Sequence, residues 1–159
     1  MNYKKTAALI SLAGAGILTG VRTKDYKEQI KALKDKNDKL SDNYLLLNHW
    51  LEIRNEERSA AEYFRDMGYK HIAVYGMAEL ANRLAEELEN SDIQIDYGID
   101  RDVSCTNSRI ENVYSLQDEL PVTDVVVVMP YYAFDGICRD LKKKVKCPIV
   151  SIEDVIWSV

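Results

Sequence analysis

Eight residues, Tyr26, Ile30, Leu33, Asn37, Leu40, Tyr44, Leu47 and Leu51, follow one another at alternating intervals of four and three. That is an unbroken 3.5-residue period over about three and a half heptads, with mostly charged or polar residues between. A helix with so narrow an apolar stripe buries it best against a copy of itself, so a parallel homodimer through residues 26–51 is expected. Asn37 falls on the seam, where a buried Asn costs stability and fixes register. The rival readings are a helix folded back on its own domain and a solvated helix. A second stripe, Leu46, Trp50 and Ile53, faces elsewhere and is expected to dock on the globular part. His49, between the stripes, reads as a packing or surface residue.

From Ser59 onward the pattern changes. Ser59-Ala60-Ala61-Glu62 has capping-box spacing and opens a short helix with Ala60, Phe64 and Met67 on one face, stopped at Gly68. His71–Tyr75 is a compact apolar strand, followed by the turn Gly76–Ala81 and a helix through Leu80, Leu84 and Leu88. Ile93, Ile95, Tyr97 and Ile99 alternate as a strand ending at Asp100. A weaker strand at 112–114 and a short helical turn at 116–120 come next. Residues 124–129 hold four consecutive valines, the mark of a central parallel strand buried on both faces. Pro130 breaks it. Residues 134–144 read as a helix with Phe134, Ile137 and Leu141 inward, 148–151 as a last strand, and 152–157 as a closing helical turn. Strands alternating with helices predict an α/β domain, a parallel sheet with flanking helices, over residues 59–159, behind a long N-terminal helix.

The uncharged run Thr6–Val21 follows Lys4 and Lys5. As a helix its 16 residues span about 24 Å, short of a hydrocarbon core of about 30 Å unless flanking cations snorkel or the bilayer thins. Gly16 and Gly20 have small-x-x-x-small spacing, a weak pairing motif in lipid. Cations are denser after the run than before it, which places the rest of the chain in the cytoplasm if residues 6–21 anchor it in the cell membrane. A cleaved signal peptide, with Ala13-Gly14-Ala15 as its small-x-small site, is the main rival, and a soluble or interfacial helix a further one.

The chain has 159 residues, 47% hydrophobic and 30% charged, enough for a packed core. Its net charge of −5 is uneven: residues 22–40 carry +3 and residues 60–159 carry −8. So acidic a globular part argues against nonspecific nucleic-acid binding, which needs clustered Lys and Arg. Cys105, Cys138 and Cys147 are odd in number and lack a C-x-x-C, so buried free thiols are expected rather than a disulfide framework or zinc site; no metal ligands are assigned.

In a parallel sheet of this kind ligands sit at the carboxyl ends of the strands, where strand order reverses. The candidate cofactor-binding residues are therefore Gly76, Met77, Ala78, Glu79 and Leu80 in the first turn, Asp100 and Arg101 after the second strand, and Pro130 and Tyr131 after the valine strand. Helix N-terminal N–H groups attract anions. Ala78 puts a methyl where a pyrophosphate must approach the backbone, and Glu79 repels one. Asp100 is spaced to accept ribose hydroxyls. Tyr131 and Tyr132 could flank a base or sugar, or lid the core.

The segments VYGMAELANRLAEEL, YGIDRD, DVVVVMP and PIVSIEDVI resemble bacterial Rossmann-like domains of the nucleoside-diphosphate-sugar epimerase-like type, which recur in surface-polysaccharide contexts. The layout is also similar to the N-terminal subdomain of sugar-nucleotide acetyltransferases, and the stretch NHWLEIRNEERSAAEYF resembles the helix that leads into such domains. The resemblance covers residues 70–159 and implies an NAD(P)- or UDP-sugar-type pocket at Gly76–Ala81 and Asp100. No catalytic residue is assigned. After the valine strand no Tyr has a Lys four residues on, as short-chain epimerases require, and no H-E-x-x-H, P-loop or G-x-S-x-G occurs. The expected function is a membrane-tethered, non-catalytic nucleotide or sugar-nucleotide binding module. A sugar-nucleotide oxidoreductase or epimerase, and a protein-binding adaptor that has lost its ligand, are the alternatives.

Overall fold

The computed structural model describes the backbone of residues 3–103 and 109–159, and side chains from residue 25 onward within those ranges. The expectations for the apolar run 6–21 as an anchor and for Cys105 fall outside the described side chains. Among the described residues no helix is long and apolar enough to cross a membrane. Helix α1 runs Tyr3–Asn55. The chain divides into two compact units, Met1–Tyr44 and Leu45–Val159, taken separately below.

The second unit is an α/β fold: a five-stranded, wholly parallel sheet flanked by helices. After the last turns of α1 come α2 (Ala60–Asp66), β1 (His71–Tyr75), α3 (Glu79–Leu88), β2 (Gln94–Ile99), β3 (Val113–Tyr114), β4 (Val125–Val128), α4 (Phe134–Leu141), β5 (Ile149–Ser151) and α5 (Ile152–Trp157). The strand order is β3-β2-β1-β4-β5, so the chain reverses direction across the sheet between β1 and β4. All four valines of β4 are buried, as a central strand requires.

Two cores result. On one face Ile72, Val74, Val125 and Val127 pack under α2, α3, α5 and the end of α1. There Leu46, Trp50 and Ile53 are buried, so the second stripe docks within this unit. His49 stacks on Trp157 with ring centroids 4.0 Å apart. On the other face Ala73, Tyr75, Val126 and Val128 pack under Ile137 and Leu141 of α4. Tyr97 is buried there, and its hydroxyl donates to the Pro121 carbonyl at 2.7 Å. Burial pushes its phenol up to about 12.

Four expectations are corrected. The alternation 93–95–97–99 does not put one face inward. Ile72 pairs with Ile95 but Ala73 with Tyr97, so Asp96 is an extra residue, a β-bulge. Ile93 and Ile95 serve the first core, Tyr97 and Ile99 the second. Next, Ser59 is the N-cap of α2 but its side chain caps nothing, and the Glu62 N–H donates to the Ser59 carbonyl at 2.9 Å. The capping acceptor is instead the Glu87 carboxylate of α3, which takes the Ala60 N–H at 2.6 Å and also the Trp50 indole N–H. The expected helical turn at 116–120 shrinks to a single turn at 116–118, closed by the Asp118 N–H on the Ser115 carbonyl at 3.1 Å, because the Asp118 carboxylate accepts the Ser115 N–H at 2.7 Å and the Ser115 hydroxyl accepts the Gln117 N–H at 3.0 Å. Finally, α4 stops at Leu141, with Lys142–Lys144 in the following turn.

Gly68 does end α2 as expected. At φ 75° it closes a Schellman motif, with Tyr69 N–H on the Phe64 carbonyl (2.8 Å) and Gly68 N–H on that of Arg65 (3.0 Å).

Candidate functional site

The reversal point is built by two neighbouring strand ends. The Met129 N–H donates to the Tyr75 carbonyl at 2.9 Å, which carries the β1–β4 pairing past the strands. Gly76 then turns the chain at φ 92°, with its N–H on the Ile99 carbonyl at 2.8 Å. A Cβ at Gly76 would lie 2.8 Å from Pro130 Cδ. Both the backbone conformation and the close approach of Pro130 therefore demand glycine. Pro130 ends β4 and starts the short 3-10 turn Tyr131–Ala133 that leads into α4.

Asp100 follows β2, its N–H held by the Tyr114 carbonyl at 3.0 Å. Its carboxylate reaches back to the first turn: Oδ2 accepts the Met77 N–H at 2.8 Å, and Oδ1 accepts the Asp102 N–H at 3.1 Å. The Gly76–Met77 turn is thus tied to the end of β2 by a charge-assisted hydrogen bond.

Beside this tie opens a cleft of about 280 Å³, walled by Gly76, Asp100, Arg101, Pro130, Tyr132 and Ile137 among others. Four of the nine sequence-assigned residues, Gly76, Asp100, Arg101 and Pro130, meet there. The others do not. Met77 is buried, with its sulfur against Gly98, where an added Cβ would lie 2.4 Å from it. Tyr131 is buried in the first core and edges the neighbouring cleft toward α5. Ala78, Glu79 and Leu80 begin α3 on the other face and do not line the 280 Å³ cleft. The Glu79 carboxylate is held by Arg83 at 2.6 Å.

No family model, curated protein or solved structure matches the chain.

Tyr132 rather than Tyr131 presents an exposed ring at the cleft, and α4 supplies Ile137 as its apolar wall. Sequence reasoning placed Ile137 in the core, which it also joins; the proximity of Pro130 to the reversal point was the available hint that α4 would start beside the cleft. The side chains at hand are one carboxylate, one guanidinium, phenol rings and apolar walls. They can accept hydroxyl hydrogen bonds at Asp100, counter a negative charge at Arg101 and stack a planar or sugar ring on Tyr132. Among the described residues the cleft presents no histidine, cysteine or lysine that could act as base or nucleophile. Nor do the described residues hold a group of three metal-ligating side chains. Three larger clefts occur among the described residues: one of about 320 Å³ adjoins this cleft at Arg101, Ala133 and Ile137 and reaches Asp140 and Lys143, and two lie elsewhere. One of about 500 Å³ lies between Tyr132, Asp135 and the start of α5, walled by the carboxylates Asp135, Glu153 and Asp154. The other, about 480 Å³, lies by Ile93, Gln94 and Arg109 at the amino end of β2, away from the strand carboxyl ends.

Proposed function

We propose that residues 59–159 are a Rossmann-like binding module that holds a single nucleotide or sugar nucleotide at the β1/β4 reversal point without turning it over. The strand order 3-2-1-4-5 is that of the doubly wound dinucleotide-binding sheets. The observation that carries the reading is the convergence of Gly76, Asp100, Arg101 and Tyr132 on one open cleft at the carboxyl edge. At about 280 Å³ it sits at the small end of ligand cavities. That favours one nucleoside or sugar moiety over a full dinucleotide. Asp100 already accepts the Met77 N–H, so the first-turn amide is taken by a carboxylate and a pyrophosphate is unfavourable there. The hydroxyl-bearing part of the ligand belongs at Asp100, and its phosphate at Arg101. Anchoring through residues 6–21 would hold this module at the cytoplasmic face of the cell membrane, in the surface-polysaccharide setting that the resemblance implies.

The test is thermal unfolding of the full chain in detergent with NAD, NADP, UDP-sugars and CDP-sugars. A ligand at a hundred times its Kd adds about 2.7 kcal/mol, and the gain should vanish in Tyr132→Ala, an exposed change that leaves the fold intact. No shift with any of these compounds would refute the reading. The same Asp100–Met77 tie favours a second one, a protein-binding adaptor in which Asp100 has replaced the ligand's anion.

A further inference from the structure

Between residues 25 and 44, helix α1 leaves its apolar seam open. Tyr26, Ile30, Leu33, Leu40 and Tyr44 are each between 58% and 69% exposed. With Ile30, Asn37 and Tyr44 at a positions and Tyr26, Leu33 and Leu40 at d, the flanking e and g positions are Lys27, Gln29, Lys34, Lys36, Ser41 and Asn43. Neither flank carries a carboxylate. The acidic residues Asp25, Glu28, Asp35, Asp38 and Asp42 all fall on the outer b, c and f positions. Lys27, Lys34 and Lys36 are exposed and make no ion pair among the described residues.

We propose that this face seats an amphipathic helix of another protein whose own apolar seam is flanked by Glu or Asp. Flanking charges choose coiled-coil partners. A second copy gains nothing from them: in a parallel register Gln29 would face Lys34 and Lys36 would face Ser41, and a second set of the same cations would line a short seam. An acidic-flanked helix gains an opposite charge beside all three lysines. A bilayer suits the face less well. The seam is only two positions wide, charged residues follow it immediately on the outer side, and Asn37 sits at its centre, where a facing polar side chain would satisfy it.

The experiment uses the full chain in detergent and two synthetic helical peptides with the same Ile/Leu seam and one central a-position Asn. One has Glu at every e and g position, the other Lys. The Glu-flanked peptide should bind at least about tenfold more tightly at low salt, with the difference shrinking as salt rises, as screened exposed pairs do. The combined Lys27→Glu, Lys34→Glu, Lys36→Glu variant should reverse the preference. Leu33→Ser with Leu40→Ser should abolish both, and since these residues are exposed, folding is untouched. Equal binding of the two peptides would overturn the proposal. So would self-association of the chain that the Glu-flanked peptide cannot displace, or binding of residues 22–58 to phosphatidylserine vesicles without peptide discrimination.

Discussion

Glu87 of α3 borders the first core, and removing it should be costly. Its two oxygens take the Ala60 N–H at the start of α2 and the Trp50 indole N–H of α1, so one carboxylate on α3 joins three helices. Ala60 and Trp50 are both buried. Glu87→Ala therefore strands two buried donors. A hydrogen bond to a charged group contributes about 1.5–3 kcal/mol, and stranding its donor costs about 1–3 kcal/mol. Because Glu87 itself is only half-buried, water can enter the gap and the expected loss for the pair falls to about 2–4 kcal/mol. That is a large fraction of the about 5–15 kcal/mol by which a domain is stable. Glu87→Gln keeps one acceptor oxygen and should lose about half as much. Glu86→Ala, next door, removes surface ion pairs with Arg83 and, at 4.0 Å, with Arg109, and should cost under about 1 kcal/mol. Urea unfolding followed by far-UV circular dichroism measures all three at unchanged m-value. If Glu87→Ala lies within 0.5 kcal/mol of the parent on the ~1 kcal/mol scale of a single net hydrogen bond, or if Glu87→Gln loses as much as Glu87→Ala, the carboxylate is not what ties the helices together.

Other predictions follow from single contacts. Gly98→Ala would set its Cβ 2.4 Å from the Met77 sulfur, an overpacking cost of about 1–3 kcal/mol. The double variant with Met77→Ala should lose less than the two single losses combined; strict additivity in a denaturation cycle would refute the contact. For His71, the hydrogen bond to Asp96 (2.9 Å), then that residue's charge, raises the imidazole above its ordinary value. A raised folded-state value means the contribution is complete below about pH 6.5 and fades as pH rises through the folded value. An NMR titration should find a lower His71 midpoint in Asp96→Asn; an unchanged midpoint would show the pair is not formed in solution.

Local chemistry made much of this fold readable. Gly68, Gly76 and Pro130 each stop an element because of what their backbones can or cannot do, and the four valines of β4 could only be a central strand. The end of β2 at Asp100 was legible in the same way. Other features depend on a partner distant in sequence, whereas the 116–118 turn is set locally by Ser115 and Asp118. Ser59 and Glu62 have capping-box spacing, but Glu87 arrives from α3 and takes the Ala60 N–H. The Met77 side chain packs on Gly98, which lies on another strand. The Asp100 carboxylate likewise takes the Met77 N–H, a bond across 23 residues that no local pattern encodes.

The extra residue at Asp96 gives one short strand two allegiances. Ile95 and Tyr97 are close neighbours along the backbone, yet the first answers to the helices α2 and α3 and the second to α4. Damage at one site should loosen one side of the sheet while the opposite side stays quiet, so labels placed on these two residues would report separately on the two halves of a domain too small to be divided in any other way.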